Sequence, residues 1–252
     1  MFAILPRRRL VPSSFAALIA AALALSWGSP ARAGGPTVIE LFTSQSCYSC
    51  PPAEELLGKL VERTDLVALE FHVDYWDDLV YGSAGKWKDL FSDPAYTKRQ
   101  RRYAERIRNA RVYTPQVVID GVVQTVGSRR DRGLELIERS GAGTKPVRVS
   151  VEPAPDGGFT VALESTSGRP AAAVLLARYD LRHVTAVEAG ENKGKTLTNH
   201  HVVRELREVG YWDGKPVEIP LADIRLGPNE GCAVIVQAHD QGAILGAAAC
   251  PS

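Results

Sequence analysis

The sequence predicts an α/β N-terminal part followed by a mainly antiparallel, β-sandwich-like C-terminal part. Three observations lead there. Up to about residue 140, compact apolar runs of strand length alternate with longer amphipathic stretches. Beyond it, apolar and polar residues alternate singly, the period of half-buried strands. Between the two lies Ser140-Gly141-Ala142-Gly143-Thr144-Lys145-Pro146, short, flexible and closed by a proline. The expected organisation is therefore a leader over residues 1–33, an α/β domain over 34–140, a linker over 141–146 and a β-sandwich-like domain over 147–252.

Arg7, Arg8 and Arg9, an apolar run from Phe15 to Leu25, and Ala31-Arg32-Ala33 have the order of a cleaved secretory signal ending at Ala33. The arginines with Leu10 and Val11 also resemble a twin-arginine signal. The run is short for a bilayer and no later stretch offers 18 uninterrupted apolar residues, so a periplasmic or secreted protein without a transmembrane segment is expected. Cleavage takes Lys plus Arg from 30 to 26 against 29 acids, a formal charge of −3, and nothing in that balance points to nucleic acid as a partner.

In the first half, Val38 to Thr43 reads as a strand, Pro51 to Arg63 as a helix and Leu66 to Val73 as a second strand. An irregular segment around Gly82 to Asp93 precedes a basic helix from Pro94 to about Asn109. Gln116 to Ile119 and Val122 to Val126 flank Asp120-Gly121, a strong hairpin signal, and a helix from Arg130 to Arg139 closes the β-α-β-α-β-β-α order. In the second half the alternating runs are Val147-Val149-Val151, Phe159-Val161-Leu163 and Val217-Ile219-Leu221, with turns such as Asp156-Gly157-Gly158. The one helix-like stretch there is Val202 to Val209.

All four cysteines lie in the exported part, where disulfides form and persist. Two of them flank Asp240-Gln241-Gly242. A turn centred on Gln241 makes paired positions sum to 482 and sets Cys232 opposite Cys250, where a non-hydrogen-bonded pair would hold the Cα atoms at about 4.5 Å, within reach of a structural disulfide. Cys47-Tyr48-Ser49-Cys50 is left to itself or to a ligand. A CxxC serves as a redox couple, half of a metal site or a plain bridge. Here a strand precedes it, and Pro51, Pro52, Glu54 and Glu55 suit the first turn of a helix, whose positive end favours a thiolate. Cys47 is then expected as the exposed attacking thiolate and Cys50 as the resolving thiol.

The strand, the CxxC at a helix start and the β-α-β-α-β-β-α order over residues 36–140 resemble the thioredoxin fold, and Thr114-Pro115 stands where that fold carries its cis-proline. "ELFTSQSCYSCPPAEELL", "FHVDYWD", "VYTPQVVIDG" and "GENKGKTLTNHHVVRELREVGYWDG" together resemble the secreted thioredoxin-like bacterial proteins grouped as domain of unknown function 1223. The resemblance implies an N-terminal thioredoxin-like domain, a redox role for Cys47 and Cys50, and Thr114 with Pro115 positioning an extended partner segment. Tyr48-Ser49 replaces the Gly-Pro usual in thioredoxin, which leaves oxidant and reductant both open.

Glu70, His72 and Asp74 fall on one face of the second strand, near its C-terminal end, so His72 with Asp74 is a candidate for proton transfer or support at Cys50. The plainer alternative is a hydrogen-bonded core histidine with Asp74 capping the next loop. The basic run Lys98, Arg99, Arg101, Arg102, Arg106, Arg108 and Arg111 reads as a solvated face, with steering of an acidic partner as its functional alternative. Tyr75, Trp76, Trp87 and Tyr96 would pack under the irregular segment or form an aromatic lip. His200 and His201 point to opposite faces of a strand and cannot share a metal from it. The expected function is thiol-disulfide exchange with protein thiols or disulfides, with a membrane electron relay as a further candidate partner and no cofactor. The alternatives are copper or zinc held by Cys47, Cys50 and His72, or a non-catalytic binding module in which the CxxC is a permanent bridge.

Overall fold

The computed structural model describes residue 1 and residues 35–155, 157–166 and 171–251. The expected signal at 1–33 lies outside the described residues, as does Asp156. The first half follows the expected order: β1 (Thr37–Thr43), α1 (Pro51–Leu60), β2 (Leu66–His72), α2 (Pro94–Arg106), β3 (Gln116–Ile119), β4 (Val123–Val126) and α3 (Arg130–Gly141). Strand β1 lies parallel to β2 and antiparallel to β3, which turns back into β4. At the turn, Asp120 and Gly121 both take positive φ, 49° and 69°. A Cβ on Gly121 would stand 2.7 Å from the Gly242 carbonyl oxygen, so the glycine serves both the turn and a close backbone approach.

Alternation along the strands sorts the layers. Ile39 and Leu41 of β1, with Leu66 and Ala68 of β2, pack beneath α1 and α3 against Leu57, Leu136 and Ile137. Val38, Phe42, Leu69 and Phe71 face the other way, toward Tyr96 and Tyr103 of α2. That second layer also buries a charge: Glu40 accepts from Arg99 Nε at 2.6 Å and from the Tyr103 hydroxyl, and Arg99 also reaches Gln237. The basic helix is thus not a uniformly solvated face, because Arg99 is a core residue while Arg101 and Arg102 are exposed.

The C-terminal half departs from a sandwich domain of its own. Strands β5 (Val147–Pro153), β6 (Phe159–Ser165) and β9 (Val217–Leu221) form a small sheet in the order β5-β6-β9. Strands β7 (Ala172–Ala186), β8 (Thr196–Trp212), β10 (Glu230–Ala238) and β11 (Ile244–Ala249) instead extend the first sheet into eight strands, ordered β11-β10-β7-β8-β2-β1-β3-β4. The small sheet covers the far end of the large one, with Val161, Leu163 and Leu221 against Val174, Leu176, Trp212 and Val234. The architecture is mixed α/β with a large, mostly antiparallel sheet and three α-helices among the described residues, and the described residues from 35 onward form one compact unit.

The helix-like stretch from Val202 to Val209 is strand, part of β8. Val202, Val203, Leu206 and Val209 have helical spacing, but β8 pairs with β7 from Ala172–Trp212 to Ala186–Thr196, and that long ladder overrides local pattern. His201, with φ 48°, interrupts the strand beside its single pairing with β2, Glu70 to Val202. The 482 register of the last hairpin holds from Ala233–Ala249 to Val236–Gly246, with a bulge after it. Cys232 and Cys250 are disulfide-bonded, Cα atoms 5.2 Å apart. The Cys250 amide donates to the Cys232 carbonyl at 2.7 Å, so the pair is hydrogen-bonded rather than of the closer type expected.

Candidate functional site

Cys47 and Cys50 form a disulfide with Cα atoms 5.4 Å apart, at the end of β1 and the start of α1. Cys50 is the residue immediately before the helix, and Pro51 and Pro52 occupy its first turn, where missing N–H groups leave nothing unsatisfied. The Cys50 carbonyl accepts from Ala53 and Glu54, so the two prolines start the helix beside the CxxC. The exposure expected for Cys47 is not found: both cysteines are 0% exposed, and Tyr48 and Ser49 between them carry the loop's surface.

Beneath the loop lies a buried set of titratable groups. His72, at the end of β2, places Nδ1 2.7 Å from Asp89 Oδ2 and Nε2 3.2 Å from Glu70 Oε1. Asp89 also accepts the Gln45 amide at 2.6 Å, which ties the acid of the irregular segment to the loop before Cys47. Burial pulls His72 toward neutrality, but the charges and hydrogen bonds of Asp89 and Glu70 outweigh it and hold the imidazole well above its ordinary pKa. Burial likewise raises Asp89, and the charge and hydrogen bond of His72 more than reverse it, so its pKa is lowered. Glu54 of α1, 2% exposed, accepts from Thr43 Oγ1 at 2.6 Å and faces Glu70. Burial first, and then the Glu70 carboxylate, push its pKa up to about 8, so near neutrality it is largely protonated.

Of the residues expected to act together, the structure joins His72 to this set and leaves Asp74 out. Asp74 lies past the end of β2 and accepts from Thr97 Oγ1 at 2.5 Å, capping the following loop; Asp89 takes the place beside the imidazole. The Thr114-Pro115 bond is cis, and Thr114 Oγ1 accepts from the Trp76 indole at 2.9 Å. Trp76 stacks on Tyr81 and lies beside Tyr75, both packing against the core cluster that holds the buried Tyr96, whose hydroxyl donates to the Val203 carbonyl, while Trp87 instead donates to Gln45. His200 and His201 diverge as expected, His200 against Gly58 and His201 on the Ala68 carbonyl. For the metal alternative, no group of three or more His, Cys, Asp or Glu among the described residues is arranged to hold an ion, and both His72 nitrogens face carboxylates.

Several site residues escaped sequence reasoning. In sequence, Glu54 reads as a first-turn acid and Asp89 falls in an unpatterned segment. Strand alternation places Glu70 only on the face of His72, yet Asn199 Nδ2 and the His200 amide both donate to it, at 2.7 and 2.9 Å. Asn192 donates to the Gln45 and Cys47 carbonyls from the β7–β8 turn. Charged residues inside apolar strands were the one signal available, since a buried acid demands partners.

No curated protein matches this chain. Its structure is similar to the crystal structure of protein AGR_C_4864 from Agrobacterium tumefaciens, at 32% sequence identity and a TM-score of 0.69, over 86% of this chain and 94% of that one. The family described as Protein of unknown function (DUF1223) matches residues 38–237, and the chain belongs to that family.

Proposed function

We propose that the protein is an exported thiol-disulfide oxidoreductase with a thioredoxin-like first half, exchanging disulfides with protein partners through Cys47 and Cys50. The observation that carries this reading is the Cys47–Cys50 disulfide at the start of α1, set above buried groups that can hold or release protons. The β-α-β-α-β-β-α order supports the fold assignment, and two disulfides together with the signal-like residues 1–33 support export.

In the exchange, a partner thiolate bonds to the Cys47 sulfur while Cys50 leaves as a thiolate. A second partner thiolate then attacks the mixed disulfide, forming the partner's disulfide and releasing Cys47. The protein gains two electrons and, as its thiolates take up protons, up to two protons. Glu54 and His72, both buried, are assigned to buffer that uptake. Thr114 and Pro115 are assigned to positioning the partner chain. Run in reverse, the same steps reduce the partner's disulfide.

Cys50→Ser expressed in exporting cells should accumulate mixed disulfides through Cys47, visible as reductant-sensitive adducts; no adduct from either Cys50→Ser or Cys47→Ser removes the exchange role. Complete burial of both sulfurs favours one second reading, a permanent bridge in a binding module. That version predicts no adducts and a disulfide that resists mild reductant.

A further inference from the structure

The CxxC loop is held down by a turn 145 residues further along the chain. Asn192, itself fully buried, donates from Nδ2 to the carbonyls of Gln45 and Cys47, each at 2.9 Å, which uses both amide protons. Its Oδ1 accepts from Lys195 Nζ at 2.8 Å, and that ammonium also lies 4.2 Å from the centre of the Tyr48 ring. Glu191 Oε2 accepts the Tyr48 amide at 2.9 Å. At Gly190, φ 76°, an added Cβ would stand 3.0 Å from Trp87 Cβ and 3.4 Å from Ser46 Oγ, so the turn is seated against the loop.

We propose that Asn192 is a positioning residue: with Glu191 and Lys195 it latches the β7–β8 turn over the Cys47–Cys50 disulfide, so that exchange proceeds only when this strap is released. This rests on the exchange reading above. A thiolate must reach a disulfide sulfur, and access limits that rate; here both cysteines are 0% exposed, and the strap meets their loop through the Asn192 and Glu191 hydrogen bonds. Glu191, Lys193, Gly194 and Lys195 are exposed, and the hydrogen bonds they support can be exchanged for water without opening an apolar core. The strap is thus suited to local release, whereas the strands beneath it are not. A partner that competes for the Gln45 and Cys47 carbonyls, or for the Tyr48 amide, would free the disulfide as it docks.

The test uses the oxidised mature protein, a small dithiol in excess, and timed alkylation with mass spectrometry of each cysteine pair. In Asn192→Ala the Cys47–Cys50 disulfide should be reduced about tenfold faster or more, as expected for losing two hydrogen bonds to buried carbonyls. Lys195→Met should give a smaller acceleration. The Cys232–Cys250 disulfide, distant from the strap, should keep its wild-type rate and so reports an intact fold. An Asn192→Ala rate within twofold of wild type overturns the latch. If Asn192→Ala accelerates both disulfides, its fold is lost, and Lys195→Met decides: no acceleration there overturns the latch as well. Failure of the exchange reading looks different. A latched but non-exchanging bridge would show faster dithiol reduction in Asn192→Ala, yet Asn192→Ala with Cys50→Ser would capture no partner protein.

Discussion

Replacing Glu54 by glutamine changes the pH dependence of stability in a way the buried site specifies. Glu54 has a pKa of about 8 in the native protein against 4.5 for the ordinary side chain, because burial and the neighbouring Glu70 disfavour its charge. A raised pKa makes its contribution full below the unfolded value and lost progressively as pH rises toward the native one. Between about pH 5 and 8 the folded protein therefore holds about one more proton than the unfolded chain, and stability falls by about 1.4 kcal/mol per pH unit from this group. Glutamine keeps an oxygen to accept from Thr43 and removes the titration. From pH 5.5 to 7.5 the variant should gain on wild type by roughly 2–3 kcal/mol, or roughly 5–10 °C in Tm for a chain of this size. His72 also has a raised pKa and loses stability in the same direction, from its ordinary value upward, whereas Asp89 has a lowered one and loses it as pH falls. Both remain in the variant and cancel to first order in the difference. Calorimetric unfolding of both proteins at pH 5.5, 6.5 and 7.5 measures this, and parallel Tm curves would refute the assignment of a neutral Glu54.

Two further perturbations test the rest of the fold. Cys250→Ser opens a bridge spanning 18 residues and should cost about 3 kcal/mol in denaturant unfolding under oxidising conditions, with the Cys47–Cys50 midpoint unchanged; a loss below about 1 kcal/mol would contradict its role in fastening the C-terminus. Arg99→Met leaves the fully buried Glu40 without its cation and should cost about 3–5 kcal/mol, while adding Glu40→Gln should recover part of it. No recovery in the double variant would mean that packing, rather than the stranded charge, sets the cost.

What was legible in the sequence was local. The CxxC between a strand and two prolines, the Asp120-Gly121 turn and the register that sets Cys232 against Cys250 all depend on neighbours within about 20 residues. The face shared by Glu70 and His72 followed from the two-residue period of strands. What stayed hidden depends on pairing far along the chain. Asn192 lies 145 residues from Cys47 and Asn199 lies 129 from Glu70, and both arrive only because β7 and β8 pair as a long ribbon that extends the first sheet. The helical spacing of Val202 to Val209 concealed that ribbon, and with it the cover over Cys47. Asp89 replaced Asp74 beside His72 because β2 ends at His72, so the alternation that put Asp74 on the same face no longer applies.

The most direct test of thiol-disulfide chemistry is the midpoint potential of the Cys47–Cys50 pair, read by thiol labelling and mass spectrometry of metal-free protein across graded glutathione or dithiol buffers. Exchange predicts a midpoint between about −120 and −270 mV, with its position separating oxidant from reductant. A pair that stays oxidised below about −300 mV would be a permanent bridge and would contradict the account.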